Sequence, residues 1–169
     1  SILNVSFEQK LTNESSTEKT EMVIPILYSC FRSEEDFKPI IKNELFILDR
    51  EIKKLQIKGF KGDKKAPVLS IFRNFSSPVI WESDLSIDNY IFLLLNDNDY
   101  FTRWDSAQIL MHKIIKSRID KQANFTLEDN FIKTIKKTIK NLENKDFKLL
   151  FSAHGLPEIK IKKGDPYQW

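Results

Sequence analysis

The apolar residues of this chain change period at residue 86, and no other feature limits the possible folds as much. Up to residue 85 they alternate with polar residues or form short blocks, as strands require. Beyond it they recur three and four residues apart, as one face of a helix requires. Leu3, Val5 and Phe7 fall on one side of a pleated strand, with Asn4 and Ser6 on the other. Met22 to Tyr28 is a nearly continuous apolar run. Leu45 to Leu48 and Leu55 with Ile57 follow, joined by Asp49-Arg50-Glu51, which predicts a hairpin connection. Val68 to Phe72 and Val79 to Trp81 complete the predicted strands, and the polar stretches 12–19 and 33–36 read as connections. Strands at this spacing predict a small antiparallel sandwich. Pro25 predicts an edge position for its strand, because proline has no N–H to give a ladder.

Ser86 is placed to cap a first helix bearing Ile87, Tyr90, Ile91, Leu94 and Leu95, and Asn96-Asp97-Asn98-Asp99 stops it. A second helix is predicted from about Thr102 to Ile119. Its apolar stripe is Trp104, Ala107, Met111, Ile114 and Ile115, with Arg103, Asp105, Lys113 and Lys116 outside. A third begins near Thr126, where Glu128 and Asp129 suit the positive helix end, and Ile132, Ile135, Ile139 and Leu142 are expected to face a core. The expected fold is therefore mainly β then α: a sandwich over 1–85, helices from 86 to 130, and a helix-strand-loop tail over 131–169.

A hydrophobic fraction of 41% with 13 Phe is that of a folded chain. No apolar run nears the roughly 20 residues that cross a bilayer, so no membrane span is expected. The N-terminus lacks the pattern of a signal peptide, and a cytoplasmic location is expected. Cys30, the single cysteine, excludes an internal disulfide and a multi-cysteine metal site, and is expected to be buried. The net charge of +3 arises in the tail, where residues 131–169 hold 9 basic and 4 acidic side chains. Lys133, Lys136, Lys137 and Lys140 have the spacing of a solvated helix face, so no nucleic-acid partner is expected.

Ala66-Pro-Val-Leu-Ser-Ile-Phe-Arg-Asn-Phe-Ser-Ser-Pro-Val79 and Asp99-Tyr-Phe-Thr-Arg-Trp-Asp-Ser-Ala-Gln108 carry a resemblance that extends over residues 1 to about 130. That stretch resembles bacterial aminopeptidase N, the zinc-dependent alanyl aminopeptidase family, the first motif being similar to the end of its immunoglobulin-like domain and the second to the entry of its helical C-terminal domain. The resemblance implies an immunoglobulin-like sandwich and a spacer role: holding a catalytic domain and a helical domain in register by packing. Its partners would be the missing catalytic domains. The family's zinc-activated water needs two His one helical turn apart, a Glu between them and a further Glu. The chain has no H-E-x-x-H, and its only histidines are His112 and His154. His112 reads as a surface residue, and Trp81 and Trp104 as core anchors. Arg103 and Asp105 lie on different helix faces and could support an inter-domain contact.

Ser152-Ala-His154-Gly-Leu-Pro157 with Gly164-Asp-Pro-Tyr167 resembles ferrochelatase, the enzyme of haem biosynthesis that inserts ferrous iron into protoporphyrin. By that resemblance Phe131 to Glu143 is a helix and Asp146 to Phe151 a core strand. His154 becomes the one catalytic candidate, accepting a pyrrole proton or guiding the metal. The opposing domain of the porphyrin cleft is absent, so neither zinc nor ferrous iron with protoporphyrin is expected as a cofactor of this chain. A join between the two fragments is expected between Thr126 and Thr134, as in a chimera. Three functions follow: a non-catalytic aminopeptidase fragment, a ferrochelatase-derived binder of porphyrin or ferrous iron through His154, and an immunoglobulin-like interaction module, the last by fold analogy alone.

Overall fold

The computed structural model describes residues 2–10, 21–32, 39–60, 66–122 and 124–140. The chain divides into compact units at residues 137 and 138, and all that follows on packing concerns the first. Its elements are β1 (Ile2–Glu8), β2 (Ile24–Phe31), β3 (Pro39–Leu48), β4 (Ile52–Lys58), β5 (Val68–Ser70), a 3-10 turn at Arg73–Phe75, then α1 (Ile87–Asn96), α2 (Tyr100–Ile119) and α3 (Phe125–Lys140). Antiparallel sheets followed by three helices are the fold class expected from the change of period.

β1 pairs with β4 from Ile2 opposite Lys58 to Glu8 opposite Ile52. The second sheet has the order β3-β2-β5. Leu3, Val5, Phe7 and Leu55 turn inward and pack on Tyr28, Cys30, Ile57, Phe60 and Leu69, so the two sheets share one core. The strict alternation of β1 is the consequence of having one wet face. β2 reads as a continuous apolar run because it is the central strand of its sheet and mostly buried.

Three strand expectations need correction. Asp49 to Glu51 does not close a hairpin, since β3 pairs with β2 and β4 with β1; these three residues carry the chain from one sheet to the other. The Asp49 carboxylate fixes that corner by accepting from Lys53 at 3.0 Å and Arg50 at 3.2 Å. Val79 to Trp81 forms no strand, although Val79 and Trp81 pack on Ile26, Leu48 and Phe72. Pro25 stands in a central strand rather than an edge strand. β5, however, reaches only residues 29 to 31, leaving the second edge of β2 open at Pro25. There the Pro25 carbonyl accepts from the hydroxyls of Ser76 (3.2 Å) and Ser77 (2.5 Å), and the Leu27 N–H donates to Ser76 Oγ at 3.1 Å. Proline is tolerated because no strand asks it for a proton on that side.

The helices start where their caps dictate. Ser86 forms a capping box with Asn89: the Asn89 N–H reaches Ser86 Oγ at 3.2 Å and the Ser86 N–H reaches Asn89 Oδ1 at 3.1 Å. Asp99 caps α2, accepting from the Thr102 N–H at 2.8 Å, so that helix begins two residues earlier than expected. Asn124 accepts from the Leu127 N–H at 2.9 Å and opens α3. Tyr90, Leu94, Leu110 and Leu127 form the core of the helical part. In α3 the packed line is Leu127, Phe131 and Ile135, while Ile132, expected inside, is 49% exposed. The side chain of Ile139, Leu142, and the whole ferrochelatase-like strand and loop lie outside the described residues. No described helix is long and apolar enough to cross a membrane.

Candidate functional site

The sandwich meets the helices at the segment after β5. Here Phe72, Asn74 and Phe75 all hold left-handed backbone, with φ of 54°, 53° and 54°. That conformation costs an L-residue roughly 1–2 kcal/mol each, so the surroundings must impose it. They do so around Arg73, whose side chain is only 2% exposed. Its Nη1 donates to both carboxylate oxygens of Asp97, at 2.6 and 2.8 Å, and to Ser70 Oγ at 3.0 Å. Nε donates to Asn43 Oδ1 at 2.8 Å, and Nη2 to Asn98 Oδ1 at 2.6 Å.

Three of these four acceptors have support of their own. Asn43 takes left-handed φ of 53° where the β2–β3 register slips, and its N–H bonds the buried Ser29 hydroxyl at 3.0 Å. Asp97 also accepts the Asp99 N–H at 2.8 Å, and Asp99 accepts the Asn74 N–H at 3.0 Å while capping α2. Ser70 and Thr102 share a buried hydrogen bond of 3.2 Å. One guanidinium thus ties β3, β5 and the strained turn to the α1–α2 corner. The core crosses the same boundary: Phe31 and Val68 pack on Leu93, and Phe31 meets Phe92 edge-on at 5.8 Å.

Beside this joint opens an aromatic groove of about 260 Å³, with Phe75, Ile80, Trp81, Phe101 and Trp104 in its walls. Phe75 and Phe101 lie 5.1 Å apart and Phe101 and Trp104 5.7 Å apart, centroid to centroid. Asp105 also lines the groove; burial raises its carboxyl above the usual value, and a hydrogen bond with the Trp81 side chain partly opposes that rise. The arrangement suits packing and recognition of apolar groups. It brings no nucleophile to a base.

Of the residues singled out in the sequence, Trp104 departs from its expected place. Trp104 is 57% exposed at the groove rim, not a core anchor, whereas Trp81 is half-buried against Phe72 at 5.8 Å. Arg103 and Asp105 do not pair: Arg103 donates to the Leu94 carbonyl at 3.0 Å and closes α1. His112 is exposed on α2. Cys30 is fully buried and burial pushes its thiol up to about 12, which leaves it a protonated core side chain. His154 lies outside the described residues. Among the described residues no three His, Cys, Asp or Glu side chains gather closely enough to hold a metal ion. Arg73 and Asp97, the centre of the joint, escape sequence reasoning because 24 residues separate them; the only hint is an arginine amid Ile71, Phe72 and Phe75.

Comparison with known proteins agrees with this division. Residues 1–84 match a family model described as a domain of unknown function (DUF3458) with an Ig-like fold. Residues 87–160 match its companion, DUF3458_C, described as ARM repeats. A crystal structure of Legionella pneumophila aminopeptidase A in complex with aspartic acid superposes with a TM-score of 0.58 at 23% identity, over 71% of this chain and 13% of that one, a likeness of fold. A short segment is similar to ferrochelatases: 61% identical over 49 residues to that of Pelagibacter ubique, and 54% over 46 residues to that of Rickettsia conorii. Each alignment takes in 27% of this chain and 14% of the relative, so the chain spans about a seventh of those proteins. The match to the ARM-repeat model runs through the expected join at 126–134 and into the tail.

Proposed function

We propose that this chain, which carries an Ig-like DUF3458 domain followed by segments similar to its ARM-repeat companion and to ferrochelatase, is a non-catalytic inter-domain module of the zinc-dependent aminopeptidase architecture. The observation that carries the reading is the Arg73–Asp97 joint, which fixes the angle between sandwich and helices with a buried, fully engaged ion pair. Geometry of that kind serves a protein whose larger parts must be held at a set distance. The described residues do not fit a zinc centre, because His112 stands on an exposed helix face without two further donors gathered around it, and the sequence has no H-E-x-x-H. Chemistry would belong to a catalytic domain elsewhere, and this chain's part in it is positional. The test is hydrolysis of an alanine anilide by the purified chain with and without added zinc. The proposal expects a rate equal to the blank; zinc-dependent release of the amine would overturn it.

The ferrochelatase-like segment supports a second reading, in which the tail contacts a porphyrin or ferrous iron through His154. One imidazole without a built pocket binds weakly. Porphyrin titration of the chain and of His154→Ala decides: equal weak binding favours the positional module, and a saturable signal lost in the variant favours the tail.

A further inference from the structure

The helix α2 has two apolar faces, and among the described residues only one is packed. Leu110, Ser106 and Thr102 lie buried in the protein, as their neighbours Ala107 and Ile114 partly do. On the opposite side Tyr100, Trp104, Met111, Ile115 and Ile119 fall within a stripe about 100° wide at 3.6 residues per turn, running the roughly 30 Å length of a 20-residue helix, with Gln108 and Arg118 also inside it. All five are exposed, Ile115 at 53% and Ile119 at 73%. The stripe runs into the aromatic groove at its N-terminal end through Trp104. Ile80, on the groove wall, is 99% exposed. Five exposed apolar side chains on one helix face, interrupted by Gln108 and Arg118, are more than a solvated face ordinarily carries.

From this we infer that α2 is a self-association surface, on which a second copy of this chain docks antiparallel about a two-fold axis near Met111. Such an axis keeps each flank of the helix on the same side and reverses its direction. It therefore sets the C-terminal half of one stripe against the N-terminal half of the other. The second copy's Ile115 and Ile119 then meet the turn that carries Phe101, Trp104 and Asp105, two aliphatic knobs against a groove walled by aromatic rings. On the same flank His112 and Lys116 of the second copy bracket Asp105, the carboxylate that lines the groove. The two-fold repeats both matches, so apolar shape and charge are satisfied twice by one surface. A parallel two-fold would instead set Ile115 and Ile119 against their own counterparts and leave both grooves without them.

The size of the surface fixes the strength. A helix face about 30 Å by about 10 Å is roughly 300 Å² per copy, and the groove rims add to it, against the roughly 800 Å² per partner of a standard stable interface. The dimer should be weak and reversible, with a dissociation constant on the order of 100 μM. The inference stands apart from the aminopeptidase reading, because it rests on α2 alone and its test measures mass, not turnover.

The experiment is sedimentation equilibrium of the full 169-residue chain from low micromolar to several hundred micromolar, beside Ile115→Glu and Lys116→Glu. The wild type should pass from monomer to dimer over that range. Ile115→Glu, at an exposed position, should stay monomeric with an unchanged circular dichroism spectrum, and Lys116→Glu should weaken the dimer by about tenfold or less. Combining Lys116→Glu with Asp105→Lys should recover part of that loss. A wild type that is monomeric throughout overturns the inference. So does a dimer that Ile115→Glu leaves intact, which would place association on another surface.

Discussion

Arg73 and Asp97 are 2% and 0% exposed, and at that depth an ion pair is weak evidence of net stabilisation but strong evidence of what its loss costs. Removing one partner leaves the other charge buried and uncompensated. Arg73→Ala should therefore lower unfolding free energy in urea by about 3–5 kcal/mol. The double variant Arg73→Met with Asp97→Leu should lose less than the two single changes summed, because no bare charge remains. Cys30 supplies a prediction on pH. Its thiol is raised by burial from an ordinary value of 9.0 to about 12 in the folded chain. As pH climbs past 9.0 the unfolded thiol ionises while the folded one does not, so this contribution to stability is complete below 9.0 and falls away toward about 12. In practice Cys30 should not react with a chromogenic disulfide reagent at pH 8 until the chain is unfolded. Rapid labelling of the native chain would show that the core does not enclose it.

At the scale of elements, the caps and the strain around them are measurable one at a time. Losing the Ser86 side of the capping box, as Ser86→Ala, should cost about 1 kcal/mol. The C-terminus of α2 closes with a Schellman motif: the Lys121 N–H bonds Arg118 O at 3.2 Å and the Gln122 N–H bonds Ser117 O at 2.8 Å. Lys121 sits at the position where glycine is favoured, with φ of 55°. Lys121→Gly should raise thermal stability, by about 0.5–1 kcal/mol, since an exposed lysine loses little packing. Elements of this local kind were the legible part of the sequence. Alternation announced β1, and Ser86 with helical spacing announced α1, because both signals reside in neighbouring residues. Which strands pair was not legible from Asp49 to Glu51, since a three-residue connection serves a hairpin and a change of sheet equally well. The face of α2 was misread for a related reason: it has apolar residues on two sides, and the buried side includes Ser106 and also Thr102, whose hydroxyl bonds Ser70 and Asp99 in a way no periodicity reveals.

For the whole molecule, the buried arginine and the shared core of Phe31, Val68 and Leu93 make sandwich and helices one body over residues 1–137. The candidate site was least legible here, because it is built from Asn43, Ser70, Arg73 and Asp97, residues that only the folded chain brings together. Likeness to an aminopeptidase fold and a DUF3458 domain gives that body a context in which rigid spacing has a use. Rigid spacing requires that the two halves open together. Hydrogen exchange followed by mass spectrometry on the full chain and on Arg73→Ala measures this directly. In the wild type, amides of β2 and α2 should exchange with the same opening free energy, and in the variant α1 and α2 should open well before the sheets. Helices that already exchange independently of the sheets in the wild type would mean that the arginine joins nothing.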